Sequence, residues 1–529
     1  ADALAGQIPA ESIPLYSTAN LMAGTIDLPY YLGVPSQANP MAPVTDWWTS
    51  LCDSGAMLAA LAATNPDAIP ADPVSVSDAK CMAISQASNL PAPGLRDLRG
   101  VIDLDTERNL TKFSPVPEAT VEKMTLQVQV TTPDINWVNI VRAAQPELGL
   151  PQITEMPENG WPVVILQHGI TSKKEDMLPM TGLLSLYGMA TVAINHPLHG
   201  DPAAGPTAGS RGFDLNGDGV DEINASTVSA THYMNLASLL TTRDNLRQST
   251  ADMIGLRFGL NFLAGVDGDG NPIAVDSSQV HFLGHSLGAI TGISFMGLTN
   301  TSLNAEIDPM FKVQTNSLAM PGVMVANFLL DSPAFGNLIK ANLAYEAVDA
   351  FKTLVDTSFP DGATEEQLVA TYLAFYASLD DATKAQIDGI FTQFAFAAQT
   401  VTDSGDPINY TAMLRATQTP THLIEVIGDG ADNLPDQVIP NTVATAPLAG
   451  TEGAIALLGL PGVSETTQGS GAVRFIKGHH SSILDPRAND ASPDPVASAA
   501  TTVEMQSQVT GFFASMGQLI QVTNTDIIQ

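Results

Sequence analysis

The sequence predicts an α/β fold with a mostly parallel central sheet flanked by helices, and three observations predict it. Short, almost wholly apolar runs such as Trp161–Gln167 end in loops that carry His and Gly, as strands buried on both faces do. Segments with helical spacing of apolar residues alternate with these runs, the rhythm of crossover connections between parallel strands. The chain has 529 residues, of which 44% are hydrophobic, enough for a large core that has grown by insertion.

Residues 1–120 are rich in Pro, Ala, Ser and Asp and show little periodicity. They read as an irregular N-terminal extension, helical around 54–63, packed on the core. From 121 to 322 the pattern is that of a core. Met124–Thr131 alternates like a half-buried strand, and Trp161–Gln167, Met189–Asn195, Gln279–Leu283 and Val313–Ala319 are further strands. Ser249–Leu263 reads as a helix opened by a capping box of Ser249 with Asp252, and 287–297 as another helix. Three helical stretches without a strand fill 335–400, and the segment 323–412 reads as an inserted helical cap. Core strands resume at His422–Ile427 and Val473–Ile476, and 413–529 closes with a long helix over 496–520, whose Met505, Val509, Phe512, Met516 and Leu519 form one stripe.

Lys plus Arg is 21 against 55 for Asp plus Glu, a net charge of −34. Such a surface excludes nucleic acid and anionic membrane surfaces as partners and suits solubility in a salty medium. Two cysteines, Cys52 and Cys81, form an even pair that fits one disulfide in an oxidising compartment. The chain begins at Ala1 without a basic start and apolar run, so any signal segment is expected to be gone already. No run reaches the length of a membrane span.

Gly284-His285-Ser286-Leu287-Gly288 is a G-x-S-x-G sequence between a strand and a helix. A turn that sharp leaves no room for side chains two residues before and after the serine, and it places the hydroxyl at a helix N-terminus. Ser286 is therefore the expected nucleophile of an α/β-hydrolase fold. A serine needs a base, and the base needs an orienting acid, in chain order serine, acid, histidine. Asp436 is the expected acid, because Asp-Gln-Val-Ile-Pro has the usual layout past the strand; Asp429 and Asp432 compete. His480 is the expected base, with His479 the alternative. The oxyanion donors are expected to be the N–H groups of Leu287 and Ile170, the latter in Gln167-His168-Gly169-Ile170-Thr171. His168, Gly169 and His285 are supporting residues, with His168 ordering its loop.

Two acidic loops suggest calcium. Asp214, Asn216, Asp218, Val220 and Glu222 follow the first half of a calcium loop, although the twelfth position is Ala225. Asp267–Asn271 is shorter. No cofactor is required by the expected chemistry, and calcium would be structural.

With these residues assembled, the chain resembles the bacterial extracellular lipases of the Pla-1/cef type. The resemblance is carried by Gly24–Leu32, Gln167–Thr171, Asn195–Gly200, Val280–Ala289 and Gly478–Pro486. It implies a secreted or surface-linked lipase or phospholipase of a Gram-negative, marine bacterium. The leading expectation is an ester hydrolase acting on lipid-like, hydrophobic substrates through an acyl-enzyme, with transient contact at a lipid interface. A phospholipase A1, lysophospholipase or acyltransferase on the same site is the alternative, and a non-catalytic hydrolase-like surface protein is a third. Oligomeric state has no signature in the sequence.

Overall fold

A computed structural model describes residues 12–203, 205, 207–266, 270 and 273–529; the acidic loop Asp267–Asn271 lies largely outside the described residues. The chain divides into two compact units. One contains the residues up to Ile26 together with Leu126–Gln529, and the other is Asp27–Thr125.

The larger unit is built on the sheet. Its strands are β1 (Ala19–Tyr30), β2 (Val121–Pro133), β3 (Trp161–Gln167), β4 (Ala190–Ala193), β5 (Val275–His285), β6 (Thr315–Ala319), β7 (Thr421–Val426), β8 (Gly462–Val463) and β9 (Gly471–Phe475). Their order across the sheet is β1-β2-β4-β3-β5-β6-β7-β9-β8. β2 runs antiparallel to β4, and every pairing from β4 through β3, β5, β6, β7 and β9 to β8 is parallel. The parallel strands read as unbroken apolar runs because both of their faces are buried. On β3, Val163 and Ile165 enter one core cluster, whereas Val164 and Leu166 enter the other. The first cluster includes Met253 and Leu256 of the helix Leu239–Gly259 and Ile293 of Leu287–Asn300. The second is closed by Met505, Val509 and Phe512 of Pro495–Ala514. With helices on both faces of a mostly parallel sheet and a serine on the strand-to-helix turn after β5, this is an α/β-hydrolase fold.

Several sequence expectations shift. The first 120 residues are less irregular than their composition suggests, since they supply the twelve-residue strand β1 and a second helix at Val76–Ala87 besides Gly55–Thr64. The helix expected from Ser249 begins at Leu239, so Ser249 is no cap: its hydroxyl bonds His196 Nδ1 at 2.9 Å, and Asp252 pairs with Arg211 at 2.7 Å. The final helix ends at Ala514; Met516 is 38% exposed and Leu519 sits in a short strand, so neither extends the stripe. Between 325 and 417 there are six α-helices, and the first expected stretch is split at Val348 into Gly336–Ala347 and Asp349–Ser358.

In the smaller unit Cys52 and Cys81 form a disulfide across 29 residues of sequence. Buried ion pairs flank it, Arg96 with Asp78 at 2.7 Å and Arg108 with Asp53 at 2.9 Å. No helix among the described residues is long and apolar enough to cross a membrane.

Candidate active site

β5 delivers Ser286 to the C-terminal edge of the sheet, and the helix Leu287–Asn300 starts at the next residue. Ser286 has φ 55° and ψ −120°, a conformation that costs a non-glycine residue about 1–3 kcal/mol and persists only where its surroundings enforce it. The enforcement comes from β6, whose Ala319 carbonyl accepts the Ser286 N–H at 2.9 Å. It also comes from the flanking glycines. A Cβ on Gly288 would overlap the carbonyl oxygen of Gln167, and one on Gly284 would overlap that of Gly288. The helix thus starts in contact with the end of β3, and only a residue without a side chain fits.

Asp436 and His480 meet although 44 residues separate them. His480 Nδ1 donates to Asp436 Oδ2 at 2.7 Å. The other carboxylate oxygen, Oδ1, accepts the N–H groups of Val438 at 2.7 Å and Ile439 at 3.0 Å, so the acid is held on three sides. A carboxylate can only accept, so Nδ1 carries a proton, and in the neutral ring Nε2 keeps its lone pair. His480 Nε2 is buried without a hydrogen-bond partner. The Ser286 hydroxyl is therefore not bonded to it in this state, and catalytic hydrogen bonds commonly tighten only with substrate present.

Of the competing residues, Asp429 and His479 are engaged otherwise. Asp429 is held to about pKa 2 by its hydrogen bond with Lys477, at 2.6 Å, and by the backbone N–H of Ala431. Asp432 is exposed on the same loop. His479 spends both ring nitrogens locally. Nδ1 accepts the Ser481 N–H at 3.2 Å and Nε2 donates to the Arg487 carbonyl at 3.0 Å, while burial pushes its pKa down. His285 supports the base through the backbone, its Nε2 donating to the His480 carbonyl at 2.9 Å. Burial, then the neighbouring His480, lowers its pKa to about 3.

The loop after β3 lies against the serine. A Cβ on Gly169 would stand 3.0 Å from Ser286 Cβ and 3.4 Å from Oγ. Neither the Ile170 nor the Leu287 N–H is donated to any acceptor among the described residues, which leaves both available to a developing anion. Three buried imidazoles hold this loop. His168 donates from Nδ1 to the Gly169 carbonyl at 2.7 Å and accepts the His196 N–H on Nε2 at 3.1 Å. His196 Nε2 donates to the His168 carbonyl at 2.9 Å, and His199 Nε2 accepts the Thr171 N–H at 3.3 Å. Desolvation drives the His168 and His196 pKa values well down and that of His199 to about 4, so all three act as neutral hydrogen-bonding struts.

Asn433 is the residue the sequence reading missed. Buried between the two loops, it accepts the Gly478 N–H at 3.1 Å on Oδ1 and donates to the Gly478 carbonyl at 2.8 Å from Nδ2. It joins the Asp436 loop to the His480 loop. No motif marks it, since its partners lie 45 residues away.

Ser286 opens into an apolar cavity walled by Ile170, Leu287, Phe328, Leu338, Val438 and Ile439 among others. The cap contributes Phe328, Leu329, Phe335, Leu338 and Ile339 to it. Phe351, Tyr372, Ile387 and Phe391 pack the cap onto itself.

The acidic loop at 214–222 lines none of this. Carboxylate oxygens of Asp214, Asp218 and Glu222 lie within 4.8 Å of one another, a donor set a hard cation takes. The loop's own N–H groups already use it: Asp214 accepts from Gly217 at 2.6 Å and Gly219 at 2.7 Å, and Glu222 from Leu215 at 2.6 Å. Asn216 also donates to Glu222, and Val220 donates its N–H to Asp218 at 2.9 Å.

No family model matches the chain, and no curated protein sequence does. Among solved structures it is similar to a putative dienelactone hydrolase from Klebsiella pneumoniae, at 10% identity over 73% of this chain and 93% of that one, TM-score 0.35. It is similar to an acetyl xylan esterase from Paenibacillus sp. R4, at 11% identity over 68% and 75%, TM-score 0.31. A lipase in its open form shares 13% identity over 74% and 95%, TM-score 0.33.

Proposed function

We propose that the chain is a serine hydrolase of carboxylic esters with an apolar acyl group, of the lipase type that the Pla-1/cef resemblance implies. The observation that carries the reading is the serine itself. Ser286 sits on a strained turn at the mouth of an apolar cavity, on the same edge as an Asp436–His480 pair whose ring presents a free, buried Nε2.

In this reading Nε2 takes the Ser286 proton as Oγ attacks the ester carbonyl, and the N–H groups of Ile170 and Leu287 receive the oxyanion. Collapse of the tetrahedral intermediate breaks the ester C–O bond, and His480 returns the proton to the leaving alcohol. Water then attacks the acyl-enzyme with the same base. The apolar wall favours a hydrocarbon acyl group and offers no charged partner to an acidic one. The buried disulfide and the acidic surface support a location in an oxidising compartment, secreted or at the cell surface.

Ser286→Ala is expected to abolish hydrolysis of p-nitrophenyl butyrate and covalent labelling by a fluorophosphonate probe. Retention of either by the purified variant overturns the proposal.

A further inference from the structure

The imidazoles near Ser286 fall into two groups. His168, His196, His199 and His479 each use both ring nitrogens inside the protein. His285 and His480 each use one. The other nitrogen, Nδ1 of His285 and Nε2 of His480, is buried with no hydrogen-bond partner among the described residues. The two rings are neighbours, with centroids 5.0 Å apart. Buried polar atoms are nearly always paired, so each exception needs a reason. For His480 Nε2 the reason is the reaction, since it takes the proton of the attacking group. His285 Nδ1 has no such role yet.

This nitrogen lies beside the nucleophile. A Cβ on Gly169 would stand 3.4 Å from His285 Nδ1 and 3.4 Å from Ser286 Oγ, so both atoms border the same face of Gly169. Nε2 of His285 donates to the His480 carbonyl at 2.9 Å, so in the neutral ring Nδ1 holds a lone pair and only accepts. Burial, then the neighbouring His480, holds the His285 pKa to about 3, so the ring accepts a hydrogen bond without taking the proton. The attacking group that satisfies both rings has two protons to offer, one to His480 and one to His285. Water has two, and an alcohol has one.

We propose that His285 Nδ1 holds the water that attacks the acyl-enzyme, and thereby selects water over alcohols as the acyl acceptor. The inference rests on the ester-hydrolase reading above and names the residue that chooses its second substrate. Once the leaving alcohol has gone, one water takes its place, with one O–H toward His480 Nε2 and the other toward His285 Nδ1. Its lone pair then faces the acyl carbon. The water oxygen bonds to that carbon, His480 takes the first proton, and the second stays on the oxygen, bonded to His285. Collapse breaks the C–Oγ bond, His480 returns its proton to Ser286 Oγ, and the carboxylic acid leaves. An alcohol in the same place gives its one proton to His480 and leaves Nδ1 unpaired, which disfavours transfer.

Two substitutions separate the nitrogens. His285→Gln keeps an N–H at the place of Nε2 for the His480 carbonyl and puts no acceptor at the place of Nδ1. His285→Asn loses the far N–H and puts its Oδ1 at the place of Nδ1. The full chain is acylated with p-nitrophenyl butyrate, and decay of the acyl-enzyme is followed by mass spectrometry after rapid quenching. In His285→Gln the decay is expected to slow about ten-fold or more. Because kcat/KM reports acylation, it is expected to stay within about three-fold, with kcat and KM falling together, and fluorophosphonate labelling is expected to stay within the same margin. With 1-butanol added, the ratio of butyl butyrate to butyric acid is expected to rise about ten-fold. His285→Asn is expected to bring decay and product ratio back toward the native values.

Labelling at the native rate shows that His285→Gln is folded, so native decay with a native product ratio in that variant overturns the proposal. A fall in labelling as large as the fall in decay overturns it as well, because it marks a His285 that only holds His480 in place. If the unaltered protein forms no acyl-enzyme and Ser286 takes no fluorophosphonate, it is the ester-hydrolase reading that has failed, and the water site falls with it.

Discussion

Replacing Asp436 by Asn changes one atom of the acid and reverses the direction of a proton. In the native loop Oδ1 accepts two backbone N–H groups, from Val438 and Ile439, and Oδ2 accepts the proton on His480 Nδ1. An asparagine amide has one acceptor and one donor end. Turning its NH₂ toward Val438 and Ile439 sets donors against two donors, so the carbonyl oxygen stays there and the NH₂ faces His480. Nδ1 must then accept, the imidazole proton moves to Nε2, and the lone pair that would take the serine proton is lost. A wrong tautomer in this arrangement costs about 10⁴ in kcat, or about 5 kcal/mol of transition-state stabilisation. Binding is untouched, so KM is expected to change by less than about three-fold. The melting temperature is expected to hold, because all three hydrogen bonds of the side chain survive in altered polarity. The assay is steady-state hydrolysis of p-nitrophenyl butyrate beside the rate of fluorophosphonate labelling, and the two are expected to fall together. Asp429→Asn and Asp432→Asn serve as controls and are expected to retain activity within about three-fold. A fall of less than about ten-fold in Asp436→Asn, or a larger fall in either control, would refute the assignment of the acid.

Asn433→Ala removes the two hydrogen bonds to Gly478 and leaves a buried N–H unpaired, so stability is expected to drop by about 2–4 kcal/mol in urea unfolding. Loosening of the His480 loop is expected to lower kcat about 10²-fold with KM nearly constant; a stable variant with native kcat would refute the clasp. Glu425 lies buried on β7 between Asn441 and Arg474, and burial, with Glu452 beside it, raises its pKa to about 8. Folding favours its protonated form, so the stability it supplies is complete below the ordinary carboxylate pKa and drains as pH rises toward about 8. Glu452, lowered chiefly by its hydrogen bond with Arg474, contributes in the opposite sense, with stability lost as pH falls. Glu425→Gln is therefore expected to flatten the decline in melting temperature between pH 6 and 8, and an unchanged slope would count against it. Reduction of Cys52–Cys81 opens a loop of 29 residues and is expected to cost the Asp27–Thr125 unit about 3.6 kcal/mol in the chain-entropy account, measured as earlier proteolytic cleavage within that unit.

The parallel strands were legible because burial on both faces writes them as apolar runs, and Ser286 was legible because its turn demands glycine at two fixed positions. The chain order of the fold pointed to Asp436 and His480, whose side chains the structure places in contact. What the sequence hid has physical reasons. β1 is an edge strand of alternating exposure interrupted by Gly24 and Pro29, which weakens its periodicity. The first half of Leu239–Gly259 is polar yet buried: Asp244, Asn245, Gln248 and Ser249 all lie inside. A hydrophobic pattern cannot find a helix face that packs through hydrogen bonds. His479 and His480 are adjacent and alike in sequence, and only their hydrogen-bond partners, supplied by distant loops, separate them. Asn433 carries no local signature at all.

The struts behind the oxyanion loop also govern how the molecule meets acid. His168, His196, His199, His281, His285 and His422 are all buried, with pKa values that desolvation pushes below the ordinary 6.5. In the unfolded chain each of them titrates near 6.5. As pH falls below that value the unfolded state takes up protons that the folded state refuses, and each ring removes about 1.4 kcal/mol of stability per pH unit. Six rings together remove about 8 kcal/mol per unit, against a total of about 5–15 kcal/mol for a typical domain. The acid limit of this protein therefore belongs to its few interior imidazoles, and loss of structure and loss of the oxyanion loop should arrive together, between pH 6 and 4, as one cooperative step.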